Sequence, residues 1–172
     1  MFLVVMGVAG SGKTTLGQAL GQRLGWEFRD ADGFHPAANI AKMKAGTPLQ
    51  DEDRWPWLRA IRSHMESENA AGRSGIIACS ALKEIYRDTL GRGEPWIRFV
   101  HLNGSRDLIE GRMRAREGHF MPVSLLDSQF ATLESPIGEP LTLALNASDD
   151  SVEQLAEQTD AWWRQHGFEP SK

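Results

Sequence analysis

Residues 7–14 form a glycine-rich run that ends in a lysine and a threonine, which is the pattern of a phosphate-binding loop. The run reads Gly-Val-Ala-Gly-Ser-Gly-Lys-Thr and matches G-x-x-x-x-G-K-[ST] at every fixed position. Apolar residues 2–6 precede it, and a helical pattern with Leu16, Leu20 and Leu24 on one face follows it. A glycine-rich turn without a ligand is the alternative, but a loop between a strand and a helix argues against it. The pattern predicts that the chain binds a nucleoside triphosphate.

Each residue type in this loop suits the binding of phosphate. Glycines let backbone N–H groups approach phosphate oxygens, and the N-terminus of the following helix adds positive potential. Lys13 is expected to reach the β- and γ-phosphates, and the Thr14 hydroxyl is expected to ligate Mg²⁺. The predicted nucleotide-binding residues of the loop are Gly7, Gly10, Ser11, Gly12, Lys13, Thr14 and Thr15.

Two carboxylates, Asp30 and Asp32, stand at the end of the second predicted strand. Residues two apart on a strand point to the same side, so both are expected near the γ-phosphate. The third predicted strand ends at Cys79 without the aspartate that such a protein usually carries there, so Asp30 is predicted to bind Mg²⁺ together with Thr14. Asp32 is predicted to be catalytic, accepting the proton of a substrate hydroxyl. An Asx-turn that closes the strand is the alternative.

Several cations exceed what a nucleotide needs. Lys83 and Arg87 are four residues apart at the start of a predicted helix, where they oppose the helix dipole unless they meet an anion; a solvated surface pair is the alternative. Arg54 is predicted to face the ligand. Arg112 and Arg116 lie one turn apart near the end of another helix. We assign Arg112 to the nucleotide and Arg116 to the transferring phosphoryl group, although their spacing leaves open which of them contacts the γ-phosphate.

The elements that position these residues alternate between strand and helix patterns. Strands are predicted over 2–6, 26–30, 75–79, 97–102 and 141–145, and helices over 13–24, 81–90 and 105–116, with further helices beginning at 124 and 151. This alternation predicts an α/β fold with a parallel sheet that is flanked by helices on both faces. Ligands then gather at the carboxyl ends of the strands.

Two segments interrupt the alternation. Residues 33–74 are too long for one crossover helix and predict an inserted helical subdomain, in which Pro56 occupies the first turn of a helix. Residues 117–123 predict a mobile lid. Because no linker divides the sequence, residues 1–172 are predicted to be a single domain.

Composition excludes several classes of protein. The net charge is −4 and no basic run is interleaved with aromatic residues, which argues against a nucleic-acid partner. No apolar run approaches the roughly 20 residues of a membrane span, and the short apolar start lacks a basic leader, so a cytoplasmic protein is expected. The single cysteine, Cys79, excludes an intrachain disulfide and is predicted to be a buried, inert thiol.

Taken together, the motifs resemble the gluconate kinases (gluconokinases), a small bacterial-type phosphate-loop family related to shikimate and nucleoside monophosphate kinases. The resemblance covers about residues 3–136, and it is highly specific because all of these motifs occur together in the order that is typical of the family. Its pieces are Met-Gly-Val-Ala-Gly-Ser-Gly-Lys at 6–13, Asp-Ala-Asp-Gly-Phe-His-Pro at 30–36, Asn-Ile-Ala-Lys-Met at 39–43, Gly-Thr-Pro-Leu at 46–49, Asp-Glu-Asp-Arg at 51–54, Pro-Trp-Leu at 56–58, Cys-Ser-Ala-Leu-Lys at 79–83, Tyr-Arg at 86–87, residues 112–120, Gln-Phe at 129–130 and Leu-Glu at 133–134.

The resemblance implies ATP- and Mg²⁺-dependent phosphorylation of D-gluconate at its 6-hydroxyl. It also implies a P-loop NTPase fold with a five-stranded parallel sheet, a helical substrate-binding subdomain, a lid and a homodimer. The residues assigned to the substrate are Asp32, His35, Arg54, Lys83, Arg87 and His119. Gluconate is an anion, which agrees independently with the surplus cations.

Two alternatives remain at this stage. Another small-molecule kinase, such as a shikimate or nucleotide kinase, would share the same loop. A nucleotide-dependent switch protein is the less favoured alternative, since residues 30–33 satisfy D-x-x-G but no N-K-x-D motif for guanine occurs.

Overall fold

A five-stranded parallel sheet lies at the centre of the computed structural model, which describes residues 1–115, 123–148 and 150–166. Its strands are β1 (Phe2–Met6), β2 (Glu27–Asp30), β3 (Gly75–Ala78), β4 (Ile97–Asn103) and β5 (Thr142–Asn146). Their order across the sheet is β2-β3-β1-β4-β5, and every neighbouring pair is parallel. The predicted α/β fold with a five-stranded parallel sheet is therefore confirmed.

Helices cover both faces of this sheet. In the described ranges they are α1 (Lys13–Leu24), α2 (Ala37–Lys44), α3 (Asp51–Ala70), α4 (Glu84–Leu90), α5 (Arg106–Ala115), α6 (Val123–Thr132) and α7 (Val152–His166), with a 3₁₀ turn at Ala31–Phe34. Of the predicted lid, residues 117–122 lie outside the described residues, and Val123 begins α6. None of the helices in the described ranges is long and apolar enough to cross a membrane.

The two largest clusters of the core lie on opposite faces of the sheet, because alternate residues of a strand point to opposite faces. Val4 and Met6 of β1 pack with apolar residues of α3 and α4. Leu3 and Val5, the alternate residues of the same strand, pack with apolar residues of α1 and α7 on the other face. Both faces of β1 are buried, as expected for the central strand of a parallel sheet.

Helix α3 begins earlier than the sequence predicts. It starts at Asp51, so Pro56 lies inside the helix rather than in its first turn. Three acidic residues occupy that first turn, where they complement the positive end of the helix dipole, and the Gln50 backbone N–H donates to the Asp53 carboxylate at 2.9 Å. These interactions outweigh the preference of proline for the first turn.

The 33–74 segment supplies α2, α3 and the second half of the 3₁₀ turn. Trp57, Leu58, Ile61 and Met65 of α3 are buried in the same cluster as β1. The indole Nε1 of Trp57 also donates to the Ala31 carbonyl at 2.7 Å. The segment is therefore joined directly to the core of the sheet and holds the turn that follows β2.

Candidate active site

The phosphate loop follows β1 and has a backbone that requires glycine. The φ angles are +146° at Gly7, +76° at Gly10 and +102° at Gly12, which forms the N-cap of α1. A Cβ atom added to Gly7 would lie 2.8 Å from the Leu102 carbonyl oxygen, and one on Gly10 would lie 2.6 Å from Cγ of Met113. The sequence therefore folds this segment into a tight turn at a helix N-terminus, where backbone N–H groups favour an anion.

The two residues predicted to hold Mg²⁺ are brought together beside this loop. The Thr14 hydroxyl donates to Oδ2 of Asp30 at 3.3 Å. The other oxygen of Asp30 accepts the backbone N–H of Asp32 at 2.9 Å, which fixes the orientation of the carboxylate. A hydroxyl and a carboxylate are hard oxygen donors of the kind that Mg²⁺ prefers, so the residues present fit this metal.

Asp32 lies in the 3₁₀ turn and faces His35. The carboxylate is 3.9 Å from Nε2 of His35, whereas the Lys13 charge acts on it from the loop. Partial desolvation, and then the negative charge of Asp30, raise the pKa of Asp32 above its ordinary value, while His35 and Lys13 lower it. Its side chain is 87% exposed, which limits the desolvation and leaves the carboxylate open to a ligand.

The surroundings of His35 favour the neutral form of its ring. It stacks on Trp57 at 4.4 Å between ring centroids, and its Nδ1 is 3.3 Å from the side-chain amide nitrogen of Asn39. Because an amide nitrogen can only donate, Nδ1 accepts and the proton is assigned to Nε2, which faces Asp32. Burial, together with the charge of Arg54, lowers the pKa of His35, although Asp32 opposes this shift. The ring therefore directs an N–H donor toward Asp32.

A second cluster of polar groups joins the start of α3 to the start of α4. The ammonium of Lys83 is 3.0 and 2.9 Å from the two carboxylate oxygens of Asp51, and the Tyr86 hydroxyl donates to the same carboxylate. The Arg54 guanidinium lies 5.7 Å from the centroid of the Tyr86 ring. Hydrogen bonds from Tyr86 and then Lys83 lower the pKa of Asp51, and the bond to Asp51 raises the pKa of Lys83.

The sequence analysis missed Asp51 and Tyr86 as members of this cluster. Asp51 also lies in the first turn of α3, where its charge complements the helix dipole. The available signal was the coincidence of one acidic, one aromatic and two basic residues within the segments that carry the predicted substrate cations. Pairing among them depends on the contact between α3 and α4.

Arg87 does not join this cluster, contrary to the expectation of a substrate contact. Its side chain is fully buried, and it donates to both oxygens of Glu139 at 3.0 and 2.6 Å and to the carbonyls of Ala81 and Leu82 at 3.0 and 3.1 Å. The expected shared face with Lys83 fails because Lys83 is the extended N-cap of α4, not part of its first turn. Arg87 instead holds the connection between β3 and α4.

The nucleotide side of the loop opens on a cleft of about 250 Å³. Gly10, Ser11 and Thr15 of the loop and α1 line it together with Arg112 and Asp150. The Arg112 guanidinium also donates to the Ala147 carbonyl at 2.6 Å. The structure thus places Arg112 beside the loop, and its contact with the nucleotide stays a prediction, whereas Arg116 and His119 lie outside the described residues.

Cys79, at the end of β3, takes no part in this chemistry. The thiol is buried, and burial raises its pKa to about 12. A neutral thiol is a poor nucleophile, so the prediction of an inert cysteine agrees with the structure.

Comparisons with known proteins identify relatives of this chain. The family model described as shikimate kinase matches residues 9–135. The chain is 50% identical over 135 residues to a gluconokinase of Gluconobacter oxydans, covering 78% of this chain and 76% of the relative. It is 43% identical over 155 residues to the thermosensitive gluconokinase of Escherichia coli, covering 90% and 83%. The crystal structure of a gluconokinase from Sinorhizobium meliloti superposes with a TM-score of 0.80 and 41% identity, over 95% of each chain.

Proposed function

The chain belongs to the gluconokinase family of shikimate-kinase-like enzymes, and from this premise we propose that it transfers the γ-phosphoryl group of ATP to the 6-hydroxyl of D-gluconate. The observation that carries the proposal is the position of Asp32 beside the phosphate loop and 3.9 Å from Nε2 of His35. The charge of Lys13 acts on the pKa of Asp32, and the charge of Arg54 in the second cluster acts on that of His35. A carboxylate in this position suits transfer from a nucleotide to a polyhydroxylated anion.

On the nucleotide side, we assign the loop amides and Lys13 to the phosphates. Backbone N–H groups at the start of α1 are suited to phosphate oxygens, and the Lys13 ammonium supplies charge that is aligned before the reaction. The planar Arg112 guanidinium, at the edge of the 250 Å³ cleft, is suited to contact the base. Thr14 and Asp30 would hold Mg²⁺, which when bound neutralises charge on the phosphates.

On the acceptor side, we assign the gluconate carboxylate to the cations of the second cluster. The ammonium of Lys83 has three donors, and its bonds to Asp51 use two of them. Arg54, within reach of the same Tyr86 ring, adds a second cation. Asp51 is suited to accept hydrogen bonds from hydroxyl groups of the substrate, and the N–H of His35 is suited to donate a hydrogen bond to a substrate hydroxyl.

Asp32 would align the 6-hydroxyl and take its proton. The new bond joins the hydroxyl oxygen to the γ-phosphorus, and the bond from that phosphorus to the β–γ bridging oxygen breaks, releasing ADP. Because the transition state of phosphoryl transfer is loose, the proton leaves late and alignment is the first role of the carboxylate. The raised pKa of Asp32 favours proton acceptance relative to an ordinary aspartate.

A panel of acceptors tests this proposal. Purified protein with ATP and Mg²⁺ is assayed for ADP release with gluconate, shikimate and nucleoside monophosphates, and the product is identified by mass spectrometry and NMR. We expect turnover with gluconate and phosphate on its 6-oxygen. Preferential turnover of shikimate would support the alternative small-molecule kinase, and ATP binding without transfer to any acceptor would support a nucleotide switch.

Two further assignments are proposals that rest on the family resemblance. We propose that the enzyme acts in the cytoplasm, where its substrate ATP is supplied, and that it forms a homodimer. Size-exclusion chromatography with light scattering tests the second, and a monomeric mass at assay concentration would contradict it.

A further inference from the structure

One peptide group of the phosphate loop, between Val8 and Ala9, is held from both sides. Its carbonyl oxygen accepts the Lys13 ammonium at 2.8 Å. Its N–H, which belongs to Ala9, donates to Oε1 of Gln129 at 2.6 Å. Gln129 lies on α6, 120 residues further along the chain, so a remote side chain fixes the plane of a peptide that contacts Lys13.

Contacts other than those of Gln129 hold helix α6 against the phosphate loop. Leu126 is buried in a cluster with Val8, Leu82 and Ile109, against which Phe130 also packs. Its end is tied to the start of α4, because the Glu134 backbone N–H donates to the Leu82 carbonyl at 2.9 Å and the Glu134 carboxylate accepts the N–H of Glu84. Removal of the Gln129 amide should therefore leave the helix in place.

The orientation of this peptide group decides what Lys13 meets. With the N–H directed at Gln129, the carbonyl is directed at the ammonium, and a donor meets an acceptor. A rotation of the peptide plane, through ψ of Val8 and φ of Ala9, would turn an N–H toward a cation. An acceptor on the opposite side of the peptide group selects the productive orientation.

We propose that Gln129 is a positioning residue for the phosphate loop, acting through the Val8–Ala9 peptide group on Lys13. It contributes a neutral acceptor that satisfies the Ala9 amide before the nucleotide arrives. The loop is thereby preorganised, and part of its ordering cost is removed from nucleotide binding. The inference rests on the proposed function only in that the loop binds ATP, and it does not depend on the acceptor.

The central test replaces Gln129 by methionine, which has similar length but no carbonyl acceptor. Ser128→Ala, at the exposed neighbouring position on the same helix, is the matched control. ATP affinity is measured by calorimetry without gluconate, and kcat, both KM values and Tm are measured for each variant. Loss of one neutral hydrogen bond predicts that Gln129→Met weakens ATP binding and lowers kcat/KM for ATP by about 2- to 12-fold. The KM for gluconate and the Tm should stay close to those of Ser128→Ala.

Each other outcome overturns the inference. Unchanged ATP binding would mean that Gln129 only covers the loop, and tighter ATP binding would mean that it competes with phosphate. A fall in Tm with equal changes in both KM values would indicate a general structural role. Hydrogen exchange of the Ala9 amide in the unaltered protein gives a second test, because exchange as fast as that of an exposed amide would contradict the bond. Failure to phosphorylate gluconate would refute the proposed function, while the calorimetric result would still decide the role of Gln129.

Discussion

The phosphate loop and the second cluster, here called the acceptor cluster (Asp51, Arg54, Lys83 and Tyr86), use different kinds of group to bind an anion. In the loop, contiguous residues present backbone N–H groups at the start of α1, and the Lys13 ammonium contacts the carbonyl of Val8. In the acceptor cluster, side chains from separate helices already contact one another, with Lys83 and Tyr86 both bonded to Asp51. The first arrangement is local, whereas the second depends on packing between α3 and α4.

This difference has a consequence for substrate binding. An anion that binds in the phosphate loop meets backbone N–H groups whose direction is fixed by the fold at the start of α1. An anion that enters the acceptor cluster shares Lys83 with a carboxylate, whose pKa is lowered and which therefore stays charged. We expect the loop to govern turnover and the cluster to govern the selection of the acceptor, and substitutions can separate the two effects.

The largest expected effect is that of Asp32→Asn, at the boundary between the two regions. Loss of a positioned proton acceptor should lower kcat about 10²- to 10⁴-fold. ATP affinity, measured by calorimetry, should persist because the loop is unchanged. Asp107→Asn, an exposed aspartate on α5, controls for the loss of one negative charge. An equal loss of ATP affinity and kcat would assign Asp32 to nucleotide binding and would contradict the separation of the loop from the acceptor cluster.

Magnesium titration sharpens the same boundary. Asp30→Asn should raise the Mg²⁺ concentration needed for half-maximal rate, because Asp30 and Thr14 are the proposed metal-binding pair. Rescue of Asp32→Asn by high Mg²⁺, without rescue of Asp30→Asn, would show that the two roles are reversed.

Lys13→Ala should have the next largest effect and should be confined to the loop. Loss of a preorganised charge worth ~3–4 kcal/mol lowers the rate on the order of a hundredfold or more. Thermal unfolding should remain close to that of the unaltered protein, because Lys13 is half-buried and belongs to none of the apolar core clusters described above. Lys44→Ala, an exposed lysine of α2, is the control. A near-normal kcat with gluconate would remove the loop lysine from the mechanism.

Lys83 and Arg87 differ in what their loss should change. Lys83→Met removes a charged contact worth about 1.5–3 kcal/mol, so KM for gluconate should rise about 10- to 150-fold while KM for ATP is unchanged. Arg87→Met leaves the carboxylate of Glu139 buried without its principal partner and should lower the free energy of unfolding by about 3–5 kcal/mol. Steady-state kinetics and denaturant unfolding are measured for both variants.

The combination of results decides whether Arg87 is structural. Arg87→Met with normal stability and a raised KM for gluconate would restore the substrate contact that the sequence suggested. Glu139→Gln should reproduce part of the loss of stability, because it weakens the same buried pair from the other side.

The smallest expected effect is on the pH dependence of kcat. Asp32 must be deprotonated to accept a proton, and its pKa is raised, so the acid limb should lie above that of an ordinary aspartate at about 3.9. Asp30→Asn removes a negative charge that raises this pKa, so the limb should move to lower pH. The profile is measured at saturating Mg²⁺ to separate titration from metal binding. A limb that is unmoved in Asp30→Asn would assign it to another group.

Much of the fold followed from the sequence because its signals are local. The apolar run of β1, the glycines of the loop and the helical spacing of Leu16 and Leu20 each depend on neighbouring residues, and the predicted strands agree with the structure within one residue at either end. The predicted start of α4 at residue 81 is three residues early. Ala81 adopts a φ of +46°, which is not helical, and its carbonyl accepts a hydrogen bond from the Arg87 guanidinium. That contact is not visible as a pattern.

The phosphate loop, the Asp30–Asp32 pair and the order of elements were determined by the sequence itself, since their geometry is set over a few consecutive residues. Only the tertiary structure decided which partners the charged side chains take. Lys83 meets Asp51 across 32 residues, and Arg87 meets Glu139 across 52. Whether a cation faces a substrate or an internal carboxylate depends on which elements pack together. Once an arginine is buried, the desolvation penalty of an unpaired charge favours the ion pair with its carboxylate partner.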